Sequence, residues 1–501
     1  MLSVYANISK LRILLPEYRW RHNPDMPPCL PRILLLALAF LFACPPATAR
    51  AADLTVDCAK PLPPIRALHG GNCGPLQGGG LIDLTDFHRQ IALPHTRLHD
   101  CHWPYPDVVD MHVVFPDPKA DPARPESYRF ARTDAYLAAI VKTGAKIVYR
   151  LGESIEHEKV KLHVHPPADP QRWADACVGI IRHYNDGWAG GFKHDIRYWE
   201  IWNEPENQPA CWTGTDDDYL RLYEVASTTI KRAYPALKVG GPSLGYSGRL
   251  VKGLFEPSPL LLRFLKLCRE KSLPLDFFSW HLYTDDPAEC LPRARALRAL
   301  LDQHGFTRTE MHLNEWNYLP DNDWGPVTLK GQGSPRDRFY ARMGGPEGAA
   351  FAAATLSNFQ DAPIDVGNYF MADSGGFGLF NPNGTPHKSF HAFRAFRAML
   401  DTPARVTVAG QDPARLTALA GLAPDGTLNV LVTHYRGDAA DLRITVNNLP
   451  WKGPTIGEVR LLDAKNDLAK VRDLRFGADA VVVVQPLPAP AVCLITLRAG
   501  K

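Results

Sequence analysis

The sequence predicts an α/β chain, a (β/α)8 TIM barrel over 65–400 with an accessory antiparallel β-sandwich over 401–501. Eight short β-rich runs alternate with stretches whose apolar residues recur at helical spacing, as a barrel of strand and helix units requires. Beyond residue 400 the helical period stops, and short alternating strands follow one another between turn residues. The length, 501 residues, suits a barrel with a companion domain.

The predicted barrel strands are 65–69, 96–99, 146–151, 197–202, 238–241, 277–281, 310–313 and 366–370. Helical spacing marks 170–185, 216–234, 257–271 and 348–359 between them, and Asp216, Asp217 and Asp218 place negative charge where a helix N-terminus favours it. A helix over 387–400 closes the barrel region. The sandwich strands are expected at 428–435, 441–446, 458–462, 480–485 and 492–497, the first following the turn Asp425-Gly426. Residues 52–64 are expected to return an N-terminal strand to that sandwich, bringing the two ends of the mature chain together.

The first 51 residues read as a secretory signal peptide: Arg32 precedes the apolar run 33–43, too short to span a bilayer, and small residues follow. The long basic region before it points to Met26 as the true start, and Leu41-Phe42-Ala43-Cys44 offers a lipoprotein box as the alternative. The expected location is therefore secreted or periplasmic, with a membrane-anchored lipoprotein at Cys44 as the other reading. Export makes disulfides plausible among the eight cysteines past Ala51, and Cys73 with Cys101, which follow the first and second strands, is a geometrically possible pair. A net charge of +3 with no dense Lys/Arg run interleaved with aromatics argues against a nucleic-acid partner.

The chemistry sits at two strand ends. One run closes in Trp202-Asn203-Glu204-Pro205 and another in Asn314-Glu315-Trp316. Parallel barrel strands deliver their C-terminal tips to one rim, so two glutamates distant in sequence converge on one pocket. Paired carboxylates are what cleavage of a glycosidic bond needs, about 5 to 5.5 Å apart when the second is the nucleophile and about 6.5 to 9.5 Å apart when it activates water. Asn203 beside Glu204 is placed to hydrogen-bond a sugar 2-hydroxyl. Tyr283 is placed to hold Glu315. His281, two residues earlier on the same strand face, would meet a sugar hydroxyl. Trp212 is a candidate stacking platform, and Trp316 beside the second glutamate and His99 and Asp100 at the end of the second strand are further candidate substrate-binding residues. No cofactor or metal is expected.

These residues resemble glycoside hydrolase family 39. The similarity runs through Trp202-Asn203-Glu204-Pro205-Glu206, Cys211-Trp212-Thr213-Gly214-Thr215, the helix with Tyr219, Leu222 and Tyr223, and Val239-Gly240-Gly241-Pro242. It continues in Trp280-His281-Leu282-Tyr283, Asn314-Glu315-Trp316-Asn317 and Gly384-Thr385-Pro386-His387-Lys388-Ser389-Phe390. The resemblance implies Glu204 as acid/base, Glu315 as nucleophile, His99 and Asp100 as the family's His-Asp pair, a β-sandwich companion, and a β-xylosidase-like or α-L-iduronidase-like reaction on an oligo- or polysaccharide. An endo-acting exopolysaccharide glycosidase and a non-catalytic carbohydrate-binding protein are the alternatives. Two departures stand out. In the loop Met371-Ala372-Asp373-Ser374-Gly375-Gly376-Phe377 a glutamate expected on xylose hydroxyls is missing, and no Lys stands beside the His-x-Tyr segment for a uronate, leaving Arg150 or Arg336.

Two rival motifs need structural context. Gly241-Pro242-Ser243-Leu244-Gly245 matches an esterase's Gly-x-Ser-x-Gly string, but the sequence after it continues as loop where the nucleophile elbow requires a helix. His157, His163 and His165 lack a carboxylate or cysteine at recognisable ligand spacing and read as a polar loop.

Overall fold

The computed structural model describes residues 52–101, 108–439, 441–477 and 481–500. The expected leader, with Met26 and Cys44, lies outside the described residues. Among the described residues no helix is long and apolar enough to cross a membrane.

Strand β1 (Ala52–Pro61) is followed by eight barrel strands: β2 (Gly70–Asn72), β3 (His95–Leu98), β4 (Lys146–Leu151), β5 (Tyr198–Ile201), β6 (Lys238–Leu244), β7 (Phe277–Thr284), β8 (Glu310–Tyr318) and β9 (Val366–Tyr369). They close a barrel in chain order, every neighbouring pair parallel. The first strand lies past its expected place at 65–69. Its pairing depends on glycine: a Cβ at Gly70 would fall 2.2 Å from Asn368 Oδ1 and 2.7 Å from the Gly367 carbonyl. Ile65 and Leu68, which suggested the strand, are buried in the core beside it.

The registers slip at the C-terminal ends. Between β6 and β7 the shift falls at Ser279/Trp280, between β7 and β8 at Trp280/His281, and between β8 and β9 at Leu313/Trp316. Such irregularities re-aim side chains. After the slip His281 pairs directly with Glu315.

Helix ends are sealed by side chains. Asp169 accepts from the amides of Gln171 and Arg172 ahead of α1 (Pro170–Asp186), and Thr215 with Asp218 forms a capping box at the start of α2 (Asp216–Ala233). Helix α3 (Pro346–Asn358) is buried from Gly348 to Ser357, and its alanines let it lie between the barrel and the second domain.

The second domain comprises β1 with β10 (Ala404–Ala409), β11 (Leu416–Leu422), β12 (Leu428–His434), β13 (Asp441–Asn447), β14 (Thr455–Leu462), β15 (Asp467–Phe476), β16 (Val481–Pro486) and β17 (Ala491–Ala499). They form one nine-stranded sheet in the order β15-β14-β17-β12-β11-β10-β1-β13-β16. It departs from the expected antiparallel pattern at one pair, since β1 runs parallel to β13 while antiparallel to β10. One apolar core gathers residues from both ends of the order, Val459 and Leu474 together with Ile444 and Val483, so the sheet closes over itself as a sandwich. It packs directly on the barrel: Arg405 forms a bidentate pair with Asp361 at 2.7 and 2.8 Å, and Tyr435 donates to the Asp285 carbonyl at 2.8 Å.

Candidate active site

Above the C-terminal rim of the barrel opens a cavity of about 590 Å³. Its polar side carries His99, Asp100, Asn203, Glu204, Glu206 and Asn207, and its apolar side Trp324, Tyr340, Phe370, Met371 and Phe377, with Tyr283 and Glu315 also at its surface.

The floor is organised by Arg97, a fully buried guanidinium on β3. It donates to Glu200 Oε2 at 2.6 Å, Asn72 Oδ1 at 3.0 Å, Glu315 Oε1 at 2.8 Å, Asn203 Oδ1 at 2.8 Å and Ser243 Oγ at 2.9 Å. A buried cation is tolerable only when paired and hydrogen-bonded, and here the pairing ties five barrel strands to one point. Glu200, the second ion of the pair, also accepts from Asn314 Nδ2 at 2.6 Å.

Glu315, six residues into β8, is held from two sides: Arg97 grips Oε1, and the Tyr283 hydroxyl donates to Oε2 at 2.7 Å. Glu204 follows β5 in a left-handed backbone conformation, φ 45°, which an ordinary side chain adopts at a cost and which active sites often retain. Its Oε1 meets His281 Nδ1 at 2.7 Å, and its Oε2 accepts from Asn207 Nδ2 at 2.9 Å. His281 Nδ1 also lies 3.5 Å from Glu315 Oε2, and ligand atoms of Glu204, His281 and Glu315 all fall within 4.8 Å of one another. Burial pushes the Glu204 pKa up, but the His281 contact and the Asn207 bond outweigh it and hold the carboxyl below its ordinary value. Burial likewise opposes charge on His281, and the two carboxylates reverse that and raise its pKa.

The other expected site residues divide into two groups. Asn203 lines the cavity with Oδ1 accepting from Arg97 at 2.8 Å and lying 2.9 Å from Ser243 Oγ, which leaves its amide hydrogens for a ligand. His99 and Asp100 line it too, their side chains 3.2 Å apart. Burial keeps His99 neutral, far below its ordinary pKa, and burial beside Glu315 pushes Asp100 up to about 8. His281 departs from expectation: both its nitrogens are engaged by protein, Nε2 by Ser243 Oγ at 2.8 Å, so it aligns Glu204 and has no nitrogen left for a sugar hydroxyl. Trp212 is fully buried, edge-on to Trp202 at 4.8 Å, with its indole N–H on the Thr215 carbonyl. Trp316 is buried between Phe359 and Tyr369. Neither tryptophan reaches the cavity, because both side chains fill the layer between strands and helices.

Trp324 and Tyr246 are exposed aromatics at the cavity that sequence reasoning passed over. Trp324 is 45% exposed and packs T-shaped on Tyr283 at 5.1 Å. Arg97 and Glu200 were also missed. Each is a charged residue inside a strand whose neighbours are buried, and Arg97 shares the strand face of His99 two positions on.

Cys73 and Cys101 are free thiols, contrary to the expected disulfide; Cys73 Sγ donates to the His99 carbonyl at 3.1 Å, and Cys101 Sγ faces the same oxygen at 3.9 Å. The three loop histidines do not converge, since His163 stacks on His112 and His165 bonds Thr213. Asp110, His112 and Glu153 bring ligand atoms within 4.8 Å, but Asp110 is taken by Arg150 and Ser154 and Glu153 by His112. Neither proposed uronate-binding arginine reaches the cavity: Arg150 pairs with Asp110 beneath it, and Arg336 braces the carbonyls of Pro326, Val327 and Thr328.

Ser243 with His281 and Glu204 reproduces the contacts of a hydrolytic Ser-His-acid triad. Ser243 is fully buried inside β6, however, and does not line the cavity, so no substrate meets its hydroxyl. The nucleophile elbow is absent there, since Gly248–Val251 continues as a strand and no helix follows Ser243 directly.

The family described as "Glycosyl hydrolases family 39" matches residues 119–412, the span that carries Glu204, His281 and Glu315. The chain belongs to that family. Within family 39 and its relatives, it is 29% identical over 269 residues to a β-xylosidase of Geobacillus stearothermophilus, covering 48% of this chain and 49% of that protein. It is 28% identical over 283 residues to the α-L-iduronidase of Homo sapiens, covering 51% of this chain and 40% of that protein. The chain thus spans about half the length, or less, of these two curated relatives. A solved structure described as a glucosidase from Croceicoccus marinus superimposes with a TM-score of 0.74 at 27% identity, over 90% of this chain and 100% of that one. The matched span contains both Glu204 and Glu315, whereas His99 and Asp100 precede it.

Proposed function

We propose that the protein is a retaining glycoside hydrolase acting on a β-linked neutral sugar, with xylosides as the preferred substrates. The observation that carries this reading is that an oxygen of Glu204 lies within 4.8 Å of an oxygen of Glu315, which fits the about 5 to 5.5 Å between carboxyl groups in double displacement better than the about 6.5 to 9.5 Å of inversion. Glu315 attacks the anomeric carbon while Glu204 gives its proton to the departing oxygen, and the bond between them breaks to leave a glycosyl ester on Glu315. Glu204, now ionised, takes a proton from water, which attacks the same carbon and frees Glu315. Asn203 is placed for the 2-hydroxyl, where its hydrogen bond strengthens as charge develops. Among the described residues no Lys or Arg lines the cavity, which favours a neutral sugar over a uronate.

A second reading is a β-glucoside, favoured by the likeness to the Croceicoccus marinus glucosidase over almost the whole chain. Action on polymeric exopolysaccharide is the other alternative. Aryl β-xyloside, β-glucoside, α-L-iduronide and purified polymer, assayed side by side, separate these substrates, and proton NMR of the first-formed anomer reads the stereochemistry. An inverted product would end the double-displacement reading. Dominant iduronide turnover would end the neutral-sugar one. A leader over residues 1–51 would take the enzyme out of the cytoplasm, which N-terminal sequencing of the mature protein checks.

A further inference from the structure

We propose that Ser243 is a positioning residue: its hydroxyl fixes the tautomer of His281 and so keeps the transferable proton of Glu204 on Oε2. The inference rests on the reading of Glu204 as acid/base. It gives a role to the Gly241-Pro242-Ser243-Leu244-Gly245 segment, which no nucleophilic chemistry uses.

Ser243 Oγ has four neighbours: Arg97 Nη2 at 2.9 Å, Asn314 Nδ2 at 2.9 Å, Asn203 Oδ1 at 2.9 Å and His281 Nε2 at 2.8 Å. Arg97 can only donate. Asn314 presents its NH2 here as well, since its orientation is set by the bond to Glu200 Oε1, and a carboxylate only accepts. These two donors fill both lone pairs of the hydroxyl, which has one proton left to give. Were Nε2 protonated, it would be a third donor aimed at an oxygen with no lone pair free. The serine proton therefore goes to Nε2, and Asn203 Oδ1 is served by Arg97 at 2.8 Å. The missing lone pair at Ser243 thus holds His281 neutral against the pull of the two carboxylates, with its one hydrogen on Nδ1, donated to Glu204 Oε1 at 2.7 Å.

The consequence lies on the other oxygen. Oε1 accepts the shorter bond, from Nδ1–H at 2.7 Å, and Oε2 the longer one, from Asn207 Nδ2 at 2.9 Å, so a proton on Glu204 is assigned to Oε2, on the side of Asn207, which lines the cavity. In the opposite tautomer, Nδ1 would present a lone pair, and Glu204 would spend its proton in a bond to the imidazole, away from the leaving group.

Neutron diffraction from deuterated crystals of the full chain reads the first half directly. The expected map shows deuterium on Nδ1 and a Ser243 O–D directed at a bare Nε2; deuterium on Nε2 overturns the proposal. Ser243→Gly tests the second half, because φ 57° at this position suits glycine and the variant keeps its backbone. Its kcat/KM for an alkyl glycoside should fall at least tenfold more than for a 2,4-dinitrophenyl glycoside, whose departure needs no proton. Ser279→Ala, which removes the acceptor of the Ser243 amide at 3.0 Å, serves as the comparison and should lower both substrates by one factor. Equal losses in Ser243→Gly overturn the proposal. If Glu204→Ala itself shows no dependence on the leaving group, it is the acid/base assignment that fails, and the neutron map still reports the tautomer.

Discussion

The backbone at Gly245 lies so close to the carboxylate of Glu204 that a Cβ added there would fall 2.3 Å from Oε1 and 2.8 Å from the carboxyl carbon. Contacts under 3 Å force movement, and the mobile partner here is Glu204. Gly245→Ala should therefore fold and yet lose about a hundredfold in kcat/KM, the scale that follows a misplacement of about 1 Å. Gly477→Ala, where an added Cβ meets nothing within 4 Å, is the matched control. Activity within twofold of wild type in Gly245→Ala would mean that Glu204 has another productive position.

Tyr283 supplies the one hydroxyl donor on Glu315 Oε2 among the bonds described, at 2.7 Å. A hydrogen bond to a charged group contributes about 1.5 to 3 kcal/mol, which corresponds to roughly a ten- to hundredfold change in rate. Tyr283→Phe should lose activity within that range and accumulate or release the covalent intermediate at an altered rate. Pre-steady-state bursts measured on an aryl glycoside check this, and unchanged kinetics would remove Tyr283 from the nucleophile's support.

The parts of this molecule that were legible in sequence are those set by local pattern. Strands such as 146–151 and 277–281 announce themselves by runs of β-branched or aromatic residues, and a glutamate after such a run, as at Glu204, has few structural uses. The first strand was misplaced because its pairing is made by Gly70 and Gly71, which carry no periodic signal. Trp212 and Trp316 were assigned to the cavity because an aromatic near a catalytic motif can face either way, and only packing decides. Arg97 and Glu200 show the same limit: each is a costly buried charge by itself, and its partner stands 103 residues away. The hydrogen-bond network around Ser243 draws on five strands at once, so no segment of sequence contains it.

Asp100 gives the stability of the protein a pH dependence of known sign. Burial first, and Glu315 next, raise its pKa from 3.8 to about 8, against the Ile155 amide and Arg150, which lower it. The folded state thus keeps a proton that the unfolded state has released. Its contribution is complete below about pH 4 and declines as pH rises to about 8. Glu206, raised to about 7, acts in the same direction. Wild-type protein should melt at a lower temperature at pH 8 than at pH 5, and Asp100→Asn should show a smaller difference. Thermal melts across that interval check the slope; an unchanged slope in the variant would mean that Asp100 is already ionised at pH 5.

Trp324 is the rim residue best placed to read what lies beyond the first sugar. It stands 45% exposed, T-shaped on Tyr283 at 5.1 Å, and its ring is 25° from that of Phe377 at 6.2 Å. Flat aromatic surfaces of this kind stack on the apolar face of a ring, and such pairs contribute about 0.5 to 1.5 kcal/mol beyond area burial. Trp324→Ala should therefore raise KM about two- to tenfold for substrates whose leaving group is a second sugar or an aryl ring, with kcat little changed. A glycosyl fluoride, which has no ring to stack, should be unaffected. If instead kcat falls equally on all three substrates, Trp324 acts through Tyr283 on the nucleophile and not on the leaving group. The fluoride therefore distinguishes a binding surface from a support for Glu315, because it needs the nucleophile and has nothing to place against the tryptophan.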